Sequence, residues 1–417
     1  MEFGTILLIM AALGAFFMAF NNGANDVANS FASAVGAKAI SMKQAVLIAG
    51  IMNLLGAVML GGYVSSKLIT GVVDPAQFGD PKAYMLAMFA VLIAAGVFVL
   101  TATLFSMPVS SSHSIVGSLI GASVMAGGWS AVNWGELRNI VLSWFVSPIL
   151  AAVLAAGLLS YIKSFIVKNG KEGMIARLQY FLPFVLATTV GFFALILMKG
   201  SSLKALKPDS FWEYLLFLGV VIPYGTIVSQ ALLRSLTGKM KDTSESIEKI
   251  FKNLQVGTSS YVAFAHGAND VANSIAPVFA IFLVVTHSGL PTKEILQDAH
   301  VPLWILILGG IGIAVGIGLL GHRVIETLSK KITTLNNTRG FSVDFSAAST
   351  VVIASLLGYP VSSTHAATGA IVGSGLRDGE KVKGKVLLKI FAMWVLTVPA
   401  AALITMAIYW LLAAFIL

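Results

Sequence analysis

Apolar runs of about 18 or more residues recur along the whole chain, each long enough to cross a hydrocarbon core of about 30 Å. They lie near residues 4–21, 44–63, 83–106, 114–127, 139–162, 175–198, 211–233, 256–286, 301–320, 346–375 and 385–416. Several are too long or too interrupted for one simple span, so the count is about 10–12 crossings. Charged residues make up 11% of the chain and hydrophobic residues 57%, with a mean hydropathy of +0.89. Soluble domains carry roughly 25% charged residues, which excludes that class. The pattern predicts an all-α polytopic membrane protein of about 12 transmembrane helices, some broken or re-entrant. The 40 glycines fit this, because small residues let membrane helices approach closely. No soluble domain is left over.

The net charge of +9 does not indicate a nucleic-acid partner. Lys and Arg sit in short segments between apolar runs, as loops at a membrane surface require. The positive-inside tendency places the polar stretch Arg234–Asn253 and the segment after Arg377 in the cytoplasm, with Tyr161–Arg177 a further candidate for that side. Cysteine is absent, so disulfides, thiolate chemistry and Cys-type zinc sites are excluded. The start, MEFGTILLIM, lacks the basic region of a secretory signal and reads as part of the mature protein.

Within this apolar background one polar octapeptide occurs twice. GANDVANS stands at 23–30 and again at 267–274, an offset of 244 positions. A second pair follows at an offset of 252: PVSSSH from Pro108 to His113 and PVSSTH from Pro360 to His365. Between these landmarks Gly56, Leu60, Gly61 and Val64 match Gly316, Leu320, Gly321 and Val324. After them Trp144 with Pro148 loosely matches Trp394 with Pro399. Four landmarks in the same order imply duplication of the whole fold. The expected organisation is a first membrane repeat with connecting helices at 1–233, a central polar loop at 234–253 and a second repeat at 254–417.

Asp at a membrane helix centre costs about 2.5–3.5 kcal/mol on insertion scales, and Asp26 and Asp270 bear that cost at equivalent places. Asn25 and Asn29 flank the first and Asn269 and Asn273 the second. This set supplies hard oxygen ligands with little surplus charge, which suits a small cation such as Na⁺ helped by unwound backbone carbonyls. Gly23 and Gly267 would permit such unwinding. Two alternatives stand beside this reading. Asn and Ser could serve as hydrogen-bond donors between helices with Asp paired to a basic residue, although no basic residue lies nearby within either apolar segment. A protonated Asp could also act as a proton carrier.

In the second motif, Pro followed by Ser and Thr marks a break at membrane depth with a new half-helix starting at the hydroxyls. A helix start presents free N–H groups and a positive dipole end, and two of them facing each other suit a tetrahedral oxyanion. Ser110, Ser111 and Ser112, with Ser362, Ser363 and Thr364, are the candidate donors. Capping alone is the alternative for any one copy. His113 and His365 read as hydrogen-bonding supports behind them, with pH sensing the other possibility. A hydrolase built on Ser111, His113 and Asp26 is disfavoured, because no GxSxG elbow flanks the serines and hydrolysis needs no duplicated set. A passive anion channel would leave the two buried Asp residues unused.

The duplicated GANDVANS followed by a Pro-led Ser/Thr-His segment resembles the PiT inorganic phosphate transporter family, over both halves. The resemblance implies secondary transport of inorganic phosphate with Na⁺ or H⁺, about twelve helices in two inverted-topology halves, a plasma-membrane (cell inner membrane) location in the lipid bilayer, and frequently a homodimer. Distant relatives carry sulfate. It places Asn25, Asp26, Asn269 and Asp270 at the cation–phosphate site and the six hydroxyl residues on phosphate. Family members often carry Glu where this chain has Asn53, and losing that titratable group favours Na⁺ over H⁺ as the coupling ion. The expectation is a Na⁺-coupled phosphate symporter working by alternating access, with no enzymatic activity and no cofactor beyond the transported ions. An H⁺-coupled phosphate or sulfate permease is the alternative.

Overall fold

The computed structural model describes residues 3–105, 109–167, 173–200, 210–292, 295–296, 299–331, 336–379 and 384–417. Pro108 of the second motif lies outside them. The chain is almost wholly helical. In the first half, α1 (Phe3–Asp26) and a short α2 (Ala28–Gly36) are followed by α3 (Met42–Val72), α4 (Pro81–Leu104), α5 (Ser111–Gly127) and α6 (Trp134–Tyr161). A connecting pair follows, α7 (Met174–Gly200) and α8 (Phe211–Thr237). The second half holds α9 (Ser244–His287), α10 (Leu303–Gly316), α11 (His322–Lys331), α12 (Asn337–Leu356), α13 (Ser363–Arg377) and α14 (Gly384–Ile416).

Side-chain caps set the helix starts. Ser41 and Gln44 form a capping box at α3, Asp80 caps α4, and Thr243 caps α9. Among the described residues nine segments are long and apolar enough to cross a membrane. Three further helices are buried but fall outside that set. α5 has 17 residues and α13 has 15, and α12 carries Arg339 and Asp344. Together these make up the expected twelve.

The duplication is visible as reciprocal contacts, the signature of a two-fold relation. A Cβ on Gly23 would strike the Ile313 carbonyl, and one on Gly267 would strike that of Asn53. Gly56 faces the Phe264 carbonyl and Gly316 that of Phe20 in the same way. Glycine is required here because the helix backbones touch. A second set ties α5 to α14 through Gly117 on Val398, and α13 to α6 through Gly369 on Pro148. Pro148 therefore corresponds to Val398, and Pro399 sits one position beyond the true match.

Two sequence expectations change, and a third is met. Gly23 and Gly267 do not unwind their helices: α9 runs unbroken through the second octapeptide, and α1 passes into α2 with only Val27 between them, at φ −56° and ψ −28°. Their missing side chains serve helix crossing instead. The apolar stretch 346–375 is two helices, the chain breaking between Leu356 and Ser363 as the Pro-led serines predict. The polar stretch 234–253 is mostly helical, with only Gly238–Thr243 between α8 and α9.

The basic segments gather at one end. Lys163 pairs with Asp378 at 2.5 Å, Asp242 accepts from the Met174 and Ile175 amides, and Glu248 accepts from Asn337 and Thr338. α8 presents Trp212, Leu216, Tyr224 and Leu236 outward, as a helix facing lipid does.

Candidate functional site

The two octapeptides meet at the molecular centre. Asp26, at the end of α1, and Asp270, in the middle of α9, are both buried, and their carboxylates lie within 4.8 Å of each other and of the His266 imidazole. Among the described residues, six buried acceptor oxygens of the two octapeptides and of the two asparagines before the first have no hydrogen-bond donor: Oδ1 of Asn21, Asn22, Asn269 and Asn273, Oδ2 of Asp26 and Oδ1 of Asp270. Buried acceptors are ordinarily paired, and each orphan costs about 1–3 kcal/mol. Hard oxygens with no donor are what an Na⁺ ion satisfies, and Asp26 and Asp270, each with one such oxygen and facing each other at the centre, fit that cation.

The serine-led helices arrive as expected from the break-and-restart pattern. Ser110 caps α5 by accepting from the His113 amide at 3.2 Å, and Ser362 caps α13 by accepting from the His365 amide at 3.3 Å. Both helix starts point into the aspartate cluster. Asn29 donates to Thr364 Oγ1 at 3.0 Å, and Asn273 donates to Ser111 at 3.3 Å and Ser112 at 3.5 Å. Ser363 donates to Asp270 Oδ2 at 3.3 Å, and Asn29 also donates to Asp26 Oδ1 at 3.4 Å. Each octapeptide therefore touches the hydroxyls of the other repeat.

Asn25 and Asn269 turn toward their own helical hairpins. Asn25 donates to Thr103 Oγ1 at 2.9 Å, and Asn269 donates to Ser355 Oγ at 2.9 Å and to the Tyr359 carbonyl at 3.1 Å. Thr103 and Ser355 occupy equivalent positions, 252 apart. Ser355 looks remote in the sequence, yet it touches an octapeptide asparagine.

The expectation that no basic residue is near the aspartates is corrected by His266, immediately before the second octapeptide. Its Nε2 lies 2.9 Å from Asp270 Oδ2 and 3.8 Å from Asp26 Oδ2. Its Nδ1 lies 2.5 Å from Asn53 Oδ1. The Asn53 amide nitrogen donates to the Ala49 carbonyl at 2.8 Å, so Asn53 can only accept from the imidazole. Nδ1 therefore carries a hydrogen. Nε2 then faces a carboxylate oxygen either as a second N–H or across from a protonated carboxyl, and one proton belongs to this pair. At the two-fold-related positions stand Asn22, in the first repeat, for His266 and Ile313, in the second, for Asn53, so this feature breaks the two-fold relation. The signal was present in the sequence as HGAND against NGAND.

A third buried carboxylate, like His266, escaped sequence reading. Asp344 on α12 accepts from Ser33 at 3.0 and 3.2 Å and from Ser259 at 2.6 Å. At the equivalent positions of the other repeat stand Leu92, Pro277 and Ala15.

Comparison with known proteins agrees with this architecture. The model of the phosphate transporter family matches residues 22–405. A candidate phosphate permease of Thermococcus kodakarensis is 42% identical over 402 residues, covering 96% of each chain. A candidate phosphate permease of Haemophilus influenzae is 35% identical, covering 99% of this chain and 98% of its own. Among solved structures, a sodium-dependent phosphate transporter is 40% identical with a TM-score of 0.91, covering 99% of this chain and 100% of its own. With the family model spanning nearly all of both repeats and the same fold in a solved relative, the chain belongs to the phosphate transporter family, a group of multi-pass membrane transporters and not enzymes.

Proposed function

We propose that this protein imports inorganic phosphate by symport with Na⁺ through alternating access. The observation that carries the reading is the meeting of Asp26 and Asp270, each with a donor-less buried oxygen, with two serine-capped helix starts. Cations would bind Asp26 and Asp270, with Asn25, Asn29, Asn269 and Asn273 completing the oxygen shell. Phosphate would take hydrogen bonds from Ser111, Ser112, Ser363 and Thr364, with Asn25 and Asn269 beside them. Ser110 and Ser362 accept a capping amide and still have a hydroxyl hydrogen to donate.

Charge supplies the coupling. A phosphate anion entering beside two carboxylates in a low-dielectric site is repelled, and cations remove that repulsion. Empty and fully loaded states are then favoured over phosphate alone, which is the condition for symport. The similarity to a sodium-dependent phosphate transporter supports Na⁺ as the partner. The proton held between His266 and Asp270 favours one second reading, symport with H⁺.

Radiolabelled phosphate uptake into proteoliposomes separates the two. An inward Na⁺ gradient should drive uptake, and replacement of Na⁺ by K⁺ or choline should abolish it. Equal uptake with and without Na⁺, driven instead by a pH gradient, would establish the proton reading. The proposal includes a homodimer in the plasma membrane, which the mass of the detergent-solubilised protein checks.

A further inference from the structure

We propose that His113 and His365 are positioning residues that fix the separation of the two serine-led helix starts, and so set which tetrahedral oxyanion the site accepts. This rests on the reading that those helix starts hold phosphate.

The geometry is a crossed clasp on the two-fold axis. His113 Nδ1 donates to the Trp394 carbonyl at 3.1 Å while its ring stacks on Trp144, 3.8 Å between centroids at 29°. His365 Nδ1 donates to the Trp144 carbonyl at 3.1 Å while its ring stacks on Trp394, 3.4 Å between centroids at 26°. The two imidazoles meet edge to face, 4.6 Å apart at 75°. Both histidines are buried. Carbonyl oxygens only accept, so Nδ1 carries the hydrogen in both rings.

Elsewhere the four helices form two separate pairs. Glycine contacts tie α5 to α14 through Gly117 and Gly121, and α13 to α6 through Gly369 and Gly373. The histidines join one pair to the other, since each ring bonds one pair and stacks on the other. A direct bond from Ser112 Oγ to the Val361 carbonyl, at 2.9 Å, adds a second link between the motifs. Each histidine also supplies the amide that its own cap serine binds. A shift of either ring therefore moves the hydroxyl cluster in front of it. Phosphate and arsenate have the same shape and similar charge but different bond lengths. Only a clamp of fixed width tells them apart by hydrogen-bond geometry.

The test is phosphate uptake in proteoliposomes with arsenate as competitor, on His113→Ala, His365→Ala and the Asn and Gln variants at both positions. The Ala variants should raise the phosphate KM about tenfold, as loss of one buried hydrogen bond predicts, and should narrow the preference for phosphate over arsenate. Their Na⁺ dependence should stay as in the unaltered protein. Asn places an amide N–H where Nδ1 stood and should restore much of both properties; Gln places it at the Nε2 position and should not. Trp394→Leu keeps the carbonyl but removes the stack, and gives a milder change in the same direction if His365→Ala does not fold. Unchanged KM and unchanged preference in folded Ala variants overturn the clasp, as does rescue by Gln and not Asn. Ser111→Ala and Ser363→Ala run in parallel. If they also leave the phosphate KM unchanged, the placement of phosphate itself fails; if they raise it while the histidine variants do not, only the clasp fails.

Discussion

Asp26, Asp270 and His266 form a cluster in which one imidazole serves two carboxylates. Asp26→Asn and Asp270→Asn should each lower Na⁺-driven phosphate uptake by about tenfold or more, a loss of at least ~1.4 kcal/mol of cation binding. Ser355 is unsuitable as a remote control because it accepts from Asn269. Thr189 on α7, whose hydroxyl bonds back to the Val185 carbonyl, serves instead, and Thr189→Ala should transport normally. Asn53 gives a stability prediction. Asn53→Leu leaves the His266 Nδ1–H buried with no acceptor, a cost of about 1–3 kcal/mol. A lower thermal midpoint in detergent, relative to the unaltered protein, is the expected readout; an unchanged midpoint would show that the imidazole finds another acceptor.

At the scale of elements, two kinds of contact place the site. Serine caps start α5 and α13 at the centre, and Ser110→Ala or Ser362→Ala should each cost about 1 kcal/mol through the lost cap, measurable as reduced thermal stability even without substrate. Backbone-to-backbone crossings then fix α1 against α10 and α9 against α3. Gly267→Ala should sharply reduce folded protein, because its new methyl meets the Asn53 backbone, while Gly62→Ala should be silent, since nothing lies within 4 Å of that Cβ. Fluorescence-detected size-exclusion profiles of the two variants distinguish these outcomes.

For the whole molecule, the pseudo-two-fold relation is close in backbone but not in polarity. Asp344, Ser33 and Ser259 form a polar cluster, and their counterparts Leu92, Pro277 and Ala15 are apolar. Water should therefore reach the centre more readily along the polar side. The chain has no cysteine, so single thiols report this cleanly. Ser33→Cys, the half-buried member of the cluster, should react with a small charged thiol reagent, and Pro277→Cys, its equivalent, should not. Equal labelling would show that the chemical asymmetry does not bias access.

The amino-acid sequence by itself determined the class of fold, because membrane crossing needs long apolar runs and nothing else in the chain competes with them. It determined the duplication too, since GANDVANS and the Pro-led serines recur in order. Those same residues are the ones the structure gathers at the centre. Only the tertiary structure decided how they are used. Helix crossing, not unwinding, is the task of Gly23 and Gly267, because local sequence records a missing side chain but not the neighbour that occupies its place. The pairing of His266 with Asn53 joins positions 213 apart, and the histidine–tryptophan clasp joins the two halves of the chain. Periodicity and spacing describe one element at a time. The charge balance of a buried site is set by which elements meet, and that follows from packing the two repeats against each other.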